Sequence, residues 1–152
     1  MCMEITIKDV SIKLLDKLYR IETHCFEQEA FTKQQLTYLL TDYNTIRLAA
    51  FANGEIAGFI IAHVDIERKA LFGHIITIDV TPTYRRQGIA QKLLQKTETI
   101  FKDHGIKECR LEVREDNAAA LNLYQKLGYK KAGTLQRYYG NANGLYLRKT
   151  LQ

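Results

Sequence analysis

Val80-Thr81-Pro82-Thr83-Tyr84-Arg85-Arg86-Gln87-Gly88-Ile89-Ala90 joins two segments of different periodicity. Before it, Ile75 to Val80 is a short apolar run; after it, apolar residues at Ala90, Leu93, Leu94, Ile100 and Phe101 recur near helical spacing. The order is therefore strand, basic turn, helix. Glycine at 88 lets the backbone turn sharply or approach a ligand closely, and the amides that open the following helix have no intrahelical partner. With Arg85 and Arg86 beside it, a loop of this kind suits phosphate, although the same residues also suit a solvated basic turn. No GxxxxGK followed by Ser or Thr occurs, and no GxGxxG, so neither a Walker loop nor a dinucleotide fingerprint is present.

Length and composition narrow the frame around this loop. At 152 residues the chain is expected to form one domain, 1–152, that buries about two thirds of its unfolded surface. Hydrophobic residues at 46% and charged residues at 26% match a soluble globular protein, and no apolar run nears the ~18 residues of a membrane span. The start, Met1-Cys2-Met3-Glu4, lacks the basic-then-apolar order of a secretory signal, so a cytoplasmic location is expected. Cys2, Cys25 and Cys109 are odd in number and widely spaced, which suggests plain thiols rather than a disulfide framework or a zinc site. The histidines at 24, 63, 74 and 104 show no metal-ligand spacing, so no metal is expected. A net charge of +5 favours anionic partners. The basic residues are scattered among 17 acidic ones, which argues against a dedicated nucleic-acid face.

Toward the N-terminus, Glu4 to Val10 alternates like a strand, and Ile12, Leu15, Leu18, Tyr19 and Glu22 begin a helical period that runs to about Cys25. Thr32-Lys33-Gln34-Gln35 has the form of a capping box ahead of Leu36, Leu39 and Leu40. Phe26 to Phe31 is then a connecting loop, where Glu27 and Glu29 face either solvent or a cationic substrate. Leu48 to Ala52, Asn53-Gly54 and Ile56 to Val64 form the strongest hairpin signal, and a third strand from about Leu71 to Val80 completes a meander. Along that third strand His74, Ile76, Ile78 and Val80 share one face, with Ile75, Thr77 and Asp79 on the other. His74 is either a structural histidine or a functional one, placed on a strand that feeds the basic loop.

Toward the C-terminus, His104-Gly105 ends the helix, and Cys109 to Arg114 reads as a strand with Arg110, Glu112 and Arg114 on one face. That pattern makes Glu112 a salt-bridge residue by default, and the two arginines would hold its pKa down. Asn117 is a natural N-cap for a helix over Ala118 to Leu127, with Gly128 just past its end. Lys130 to Gln152 contains the polar loop Gly140-Asn141-Ala142-Asn143-Gly144.

The pattern Arg85-x-x-Gly88-x-Ala90 resembles the pyrophosphate loop of the GCN5-related N-acetyltransferases (GNAT). A second family signature is met in Leu111-Glu112-Val113-Arg114, Asn117, Ala120, Leu123-Tyr124 and Leu127-Gly128-Tyr129, in the right order and at the family's spacing. Gly73-His74-Ile75-Ile76-Thr77-Ile78, Tyr84-Arg85-Arg86 and the Tyr138-Tyr139 pair are similar to the ribosomal-protein-alanine and archaeal Ard1-like N-terminal acetyltransferases. The resemblance implies an α+β, three-layer fold: a mostly antiparallel central sheet with a splayed parallel pair, helices on both faces, and acetyl-CoA in the splay. It implies that backbone at Ile78, Asp79 and Val80 meets the pantetheine arm. Arg85, Arg86, Gln87, Gly88, Ile89, Ala90 and Gln91 would hold the pyrophosphate, and Asn117, Tyr124 and Lys126 would complete the cofactor site. Glu29, Phe31, Tyr138 and Tyr139 would meet a peptide, though aromatic residues are common in strands anyway.

What this implies chemically is direct transfer of acetyl from acetyl-CoA to the α-amine of a protein or peptide, ribosomal or nascent chains among them. Glu112 would accept the proton, with His74 and a relaying water, and Tyr124 would act as acid. Freeing an α-amine of its proton near pH 7 costs about 1 to 1.4 kcal/mol, against about 4.6 for lysine, which favours the α-amine as nucleophile. A small-molecule amine or a lysine side chain is the alternative acceptor. Where the ribosomal-protein enzymes have Pro-Trp this chain reads Glu27-Gln28-Glu29-Ala30-Phe31, so peptide specificity is left open. One core accounts for the hydrophobic faces, so a monomer or weak dimer is expected, without a membrane partner.

Overall fold

The computed structural model describes residues 3–152; Cys2 lies outside them, and among the described residues Cys25 and Cys109 are free thiols. Seven strands and four helices follow one another as β1 (Thr6–Asp9), α1 (Leu15–Phe26), α2 (Lys33–Thr41), β2 (Thr45–Ala52), β3 (Glu55–Glu67), β4 (Ala70–Val80), α3 (Ile89–Asp103), β5 (Glu108–Arg114), α4 (Ala118–Lys126), β6 (Lys130–Leu135) and β7 (Gly144–Thr150). The strands form one sheet in the order β1-β2-β3-β4-β5-β7-β6, mostly antiparallel, with β4 and β5 parallel. Among the described residues no helix is long and apolar enough to cross a membrane.

The chain divides into two compact units, one of residues up to 63 with Ile76–Thr97, the other of Val64–Ile75 with Glu98–Gln152. In the first, the turn between β2 and β3 is the expected one: Asn53 and Gly54 both take positive φ, 53° and 78°, which two-residue hairpins of matching twist require. Thr32 caps α2 through the reciprocal bonds of a capping box with Gln35. Leu18 of α1, Leu36, Leu39 and Leu40 of α2, and Phe59 and Ile61 of β3 form the apolar cluster that holds this unit. Between Phe51↔Ile56 and Ala50↔Gly58 the register shifts, so Ala57 is an extra residue on β3. Its carbonyl accepts the Thr81 N–H at 2.9 Å, fixing the point where the chain leaves β4. Gly58 is required there, because a Cβ would stand 2.5 Å from the Asp79 carbonyl oxygen.

In the second unit β5 lies between two partners. It pairs with β7 antiparallel along its length, Glu112 opposite Tyr146, and with β4 in parallel at Gly73↔Cys109 and His74↔Arg110. A Cβ at Gly73 would overlap the Phe101 ring at 2.3 Å, so a glycine beside His74 admits the underside of α3. Several elements depart from expectation, β2 among them, which begins at Thr45 rather than Leu48. β3 and β4 run three residues and one residue further than the sequence suggests, and they join through Arg68 and Lys69, both at positive φ (50° and 69°), a turn with no glycine or asparagine to announce it. The segment 12–25 begins as a 3₁₀ turn, Ile12–Leu14, before α1.

Candidate active site

The basic loop belongs to the first unit. Pro82–Tyr84 makes one 3₁₀ turn, and Tyr84, 6% exposed, anchors it by donating its hydroxyl to Glu55, with the Ala52 carbonyl at the hairpin end 3.4 Å away. Arg86 and Gly88 both stand at positive φ, 64° and 79°, and nothing lies within 4 Å of where a Gly88 Cβ would be. Arg85, Arg86, Gln87 and Gly88 are exposed, while Ile89 is buried and starts α3. An open, exposed backbone turn with left-handed residues before a helix start fits a bound phosphate. Arg85 is partly spent internally: its Nε donates to the Val80 carbonyl at 3.1 Å, and its terminal nitrogen lies 3.7 Å from Cys25 Sγ. Ile78 and Val80 are half-buried and Asp79 is buried, so β4 turns its 75–77–79 face inward and its 74–76–78–80 face partly to solvent. Ala90 and Gln91 continue into α3, half-buried.

The second unit gathers most of the expected proton-handling groups. His74 Nε2 lies 2.8 Å from Glu112 Oε1 and 3.1 Å from Oε2, and His74 Nδ1 lies 3.5 Å from Asp65 Oδ2. Side-chain exposures of 22% for His74 and 17% for Glu112 leave the pair reachable but poorly hydrated. Burial alone would lower the His74 pKa; the carboxylates of Glu112 and Asp65 outweigh it and raise it above the ordinary value. Neutral imidazole carries one N–H and can serve one carboxylate, whereas the cation serves both.

The two arginines flanking Glu112 are engaged elsewhere. Arg110 forks onto Glu67 and Glu108 and stacks on the Phe72 ring 3.8 Å away; Arg114 Nε donates to Asp116 at 2.8 Å. The Glu112 carboxylate bonds the His74 side chain on the adjacent parallel strand. Tyr138 feels Glu112 too: burial first, then that carboxylate, raise its phenol. Its ring meets Tyr139 edge-on at 4.9 Å, with the Arg114 guanidinium 6.0 Å from the Tyr139 centroid.

Asn117 caps α4 by accepting the Ala120 N–H at 3.1 Å. Tyr124, two turns on, is half-buried with its ring edge-on to Tyr129 at 5.9 Å, and Lys126 is exposed at the helix end. Glu29 is exposed on a 3₁₀ turn, Glu27–Glu29, while Phe31 is half-buried and donates its N–H to Glu22 Oε2 at 3.0 Å.

Two groupings of side chains escape the sequence reading. Asp65 reaches His74 because the turn at Arg68–Lys69 sets where β3 ends, and that turn carries no signal. Glu22, Thr77 and Asp79 are all buried, and here a signal existed: Glu22 falls on the apolar stripe of α1, and Asp79 on the inward alternation of β4.

Residues 15–129 match the family model described as Acetyltransferase (GNAT) family. An N-alpha-acetyltransferase of Sulfurisphaera tokodaii is 33% identical over 117 residues, covering 71% of this chain and 70% of that protein. The [Ribosomal protein bS18]-alanine N-acetyltransferase of Escherichia coli is 32% identical over 147 residues, 91% of this chain and 90% of its own. Among solved structures, one of the NatC complex bound to Gag peptide and CoA superposes with a TM-score of 0.89 at 27% identity, covering 99% of this chain and 100% of that one.

Proposed function

The chain belongs to the Acetyltransferase (GNAT) family and is an acyl-transferring enzyme, and from that premise we propose that it acetylates the α-amine of protein or peptide N-termini, using acetyl-CoA as donor. The observation that carries this reading is the direct His74–Glu112 contact, a poorly hydrated acid–base pair on adjacent strands. Relatives named for N-terminal acetylation, and a structural neighbour holding both a peptide and CoA, support the acceptor and donor classes.

Acetyl-CoA supplies an activated thioester whose acetyl group an uncharged amine can take. The open backbone turn at Arg86 and Gly88, with the amides that begin α3, suits its pyrophosphate. Asn117, Tyr124 and Lys126 are the family-matched positions for the remainder. An arriving N-terminus is mostly ammonium at neutral pH and must give up a proton before it reacts. Glu112 and His74 take that proton, directly or through a water: Glu112 holds the imidazole, and Asp65 behind Nδ1 steadies the charge His74 acquires. Tyr124 Oη holds the proton destined for the leaving sulfur. Tyr138 and Tyr139 offer the acceptor two rings beside Glu112, and Phe31 is a further family-matched position for the acceptor.

The test is CoA release with short peptides differing at residue one, beside polyamines and an internal-lysine peptide. Turnover on free α-amines should fall about 10²- to 10³-fold in Glu112→Gln. Turnover confined to polyamines or to lysine would instead select the other acceptor class.

A further inference from the structure

Glu22 and Asp79 are each 1% exposed, carry no role in the proton path above, and meet at one hydroxyl. Thr77 Oγ1 lies 2.7 Å from Asp79 Oδ1 and 3.1 Å from Glu22 Oε1. A hydroxyl carries a single hydrogen, so it can donate to one of these oxygens and must accept from the other. For both contacts to be hydrogen bonds, one of the two acids must carry a proton. The remaining atoms say which. Asp79 Oδ2 is buried without a hydrogen-bond partner, tolerable for the carbonyl oxygen of a neutral acid but costly for a carboxylate. Glu22 Oε2, by contrast, accepts the Phe31 N–H at 3.0 Å, as an ionised group should.

We propose that Asp79, Thr77 and Glu22 form a single-proton chain running from Asp79 Oδ1–H to Thr77 Oγ1, from Thr77 to Glu22 Oε1, and from the Phe31 N–H to Glu22 Oε2. Its effect is to fasten the Phe31 loop to the end of β4. The acids are positioning residues: they fix where Phe31 stands, and this rests on the reading that Phe31 flanks the acceptor. Loss of the proton leaves two buried carboxylates with one hydrogen between them. Thr77 then serves only one, and the Phe31 tether loosens.

The charged and titratable groups around the pair are few. Besides each other they face Cys25, also on α1, whose thiol is raised by burial and by the Asp79 charge; Arg85 reaches Cys25 Sγ from the loop after β4. Burial and the Glu22 charge likewise hold the Asp79 carboxyl above the usual carboxylate range. The partners of the two acids are a hydroxyl and a backbone amide, not a cation.

Carboxyl-carbon NMR of the wild-type protein, with amide exchange at Phe31 from about pH 6 to about pH 10, tests the chain. One protonated aspartate at neutral pH is expected, with Phe31 protection lost as that group ionises. Thr77→Val should exchange at Phe31 about 5-fold faster at every pH, and its peptide KM should rise by about the same factor. Asp79→Asn carries a donor that never ionises, so its Phe31 protection and peptide KM should lose their alkaline dependence. Because the peptide titrates identically with both proteins, the ratio of wild-type to Asp79→Asn KM isolates the chain. Two ionised carboxyls at neutral pH, or an Asp79→Asn protein that loses Phe31 protection as Thr77→Val does, overturns the proposal. Should Thr77→Val not fold, the wild type and Asp79→Asn decide it alone. In a protein that turned over no acceptor, the carboxyl and amide measurements would still decide for or against the chain, separately from the acetyltransferase reading.

Discussion

His74 faces a carboxylate from each ring nitrogen, and that arrangement gives it a titration of its own. With Glu112 and Asp65 outweighing burial, the imidazole should titrate above its ordinary value in an NMR pH series. Removing one charge in Glu112→Gln should move it downward, since burial then meets less opposition. An unmoved midpoint would show that Glu112 does not control the ring. Asp79 bears on stability in the opposite chemical sense, as an acid that prefers to stay neutral. Its folded pKa is raised, so the stability it contributes is fully present below the unfolded-state value of about 3.9 and is lost as pH rises through the folded value. Urea unfolding of the wild type should therefore show stability falling across that interval. The same series on Asp79→Asn should be flatter. The family resemblance alone pairs His74 with Glu112 across 38 positions, and nothing in the sequence marks the contact of Glu22 with Thr77 across 55.

The β3–β4 hairpin shows what an element can conceal. Arg68 and Lys69 occupy left-handed conformations that cost a side-chain-bearing residue of the L series roughly 1 kcal/mol each, and the long strands around them hold the turn. Replacing the pair by Asn-Gly should raise stability by about 1 kcal/mol, a rise of about 2 to 4 °C in melting temperature, without altering the strands. A fall would mean that the arginine or lysine makes a contact worth more than the strain. The β2–β3 hairpin, by comparison, was legible because Asn53 and Gly54 are the residues such a turn prefers. The capping box at Thr32, the Asn117 cap and the stop at Gly105 were legible for the same reason: each states a local backbone requirement in a local residue type. The bulge at Ala57 had no such mark, because it answers to a partner strand and to Thr81.

Over the whole molecule a net charge of +5 suits a donor that carries several phosphates. Saturating CoA should stabilise the protein, by about 2.7 kcal/mol at a hundred times its dissociation constant. Arg86→Asn keeps a residue that tolerates the left-handed conformation while removing the charge, and should weaken CoA binding about tenfold, read as a smaller thermal shift at equal CoA. An unchanged shift would place the pyrophosphate elsewhere. By itself the sequence determined the order of strands and helices, the basic loop between β4 and α3, the second motif from Leu111 to Tyr129 and, through both, the family. These rest on periodicity and on turn, cap and loop chemistry, all written within a few residues of one another. Only the tertiary structure decided that Glu112 bonds His74 directly, that Asp65 stands behind the ring, and that Glu22 and Asp79 meet at the Thr77 hydroxyl. Those pairings depend on strand register and on which face burial selects, and both are settled by contacts between segments distant in the chain.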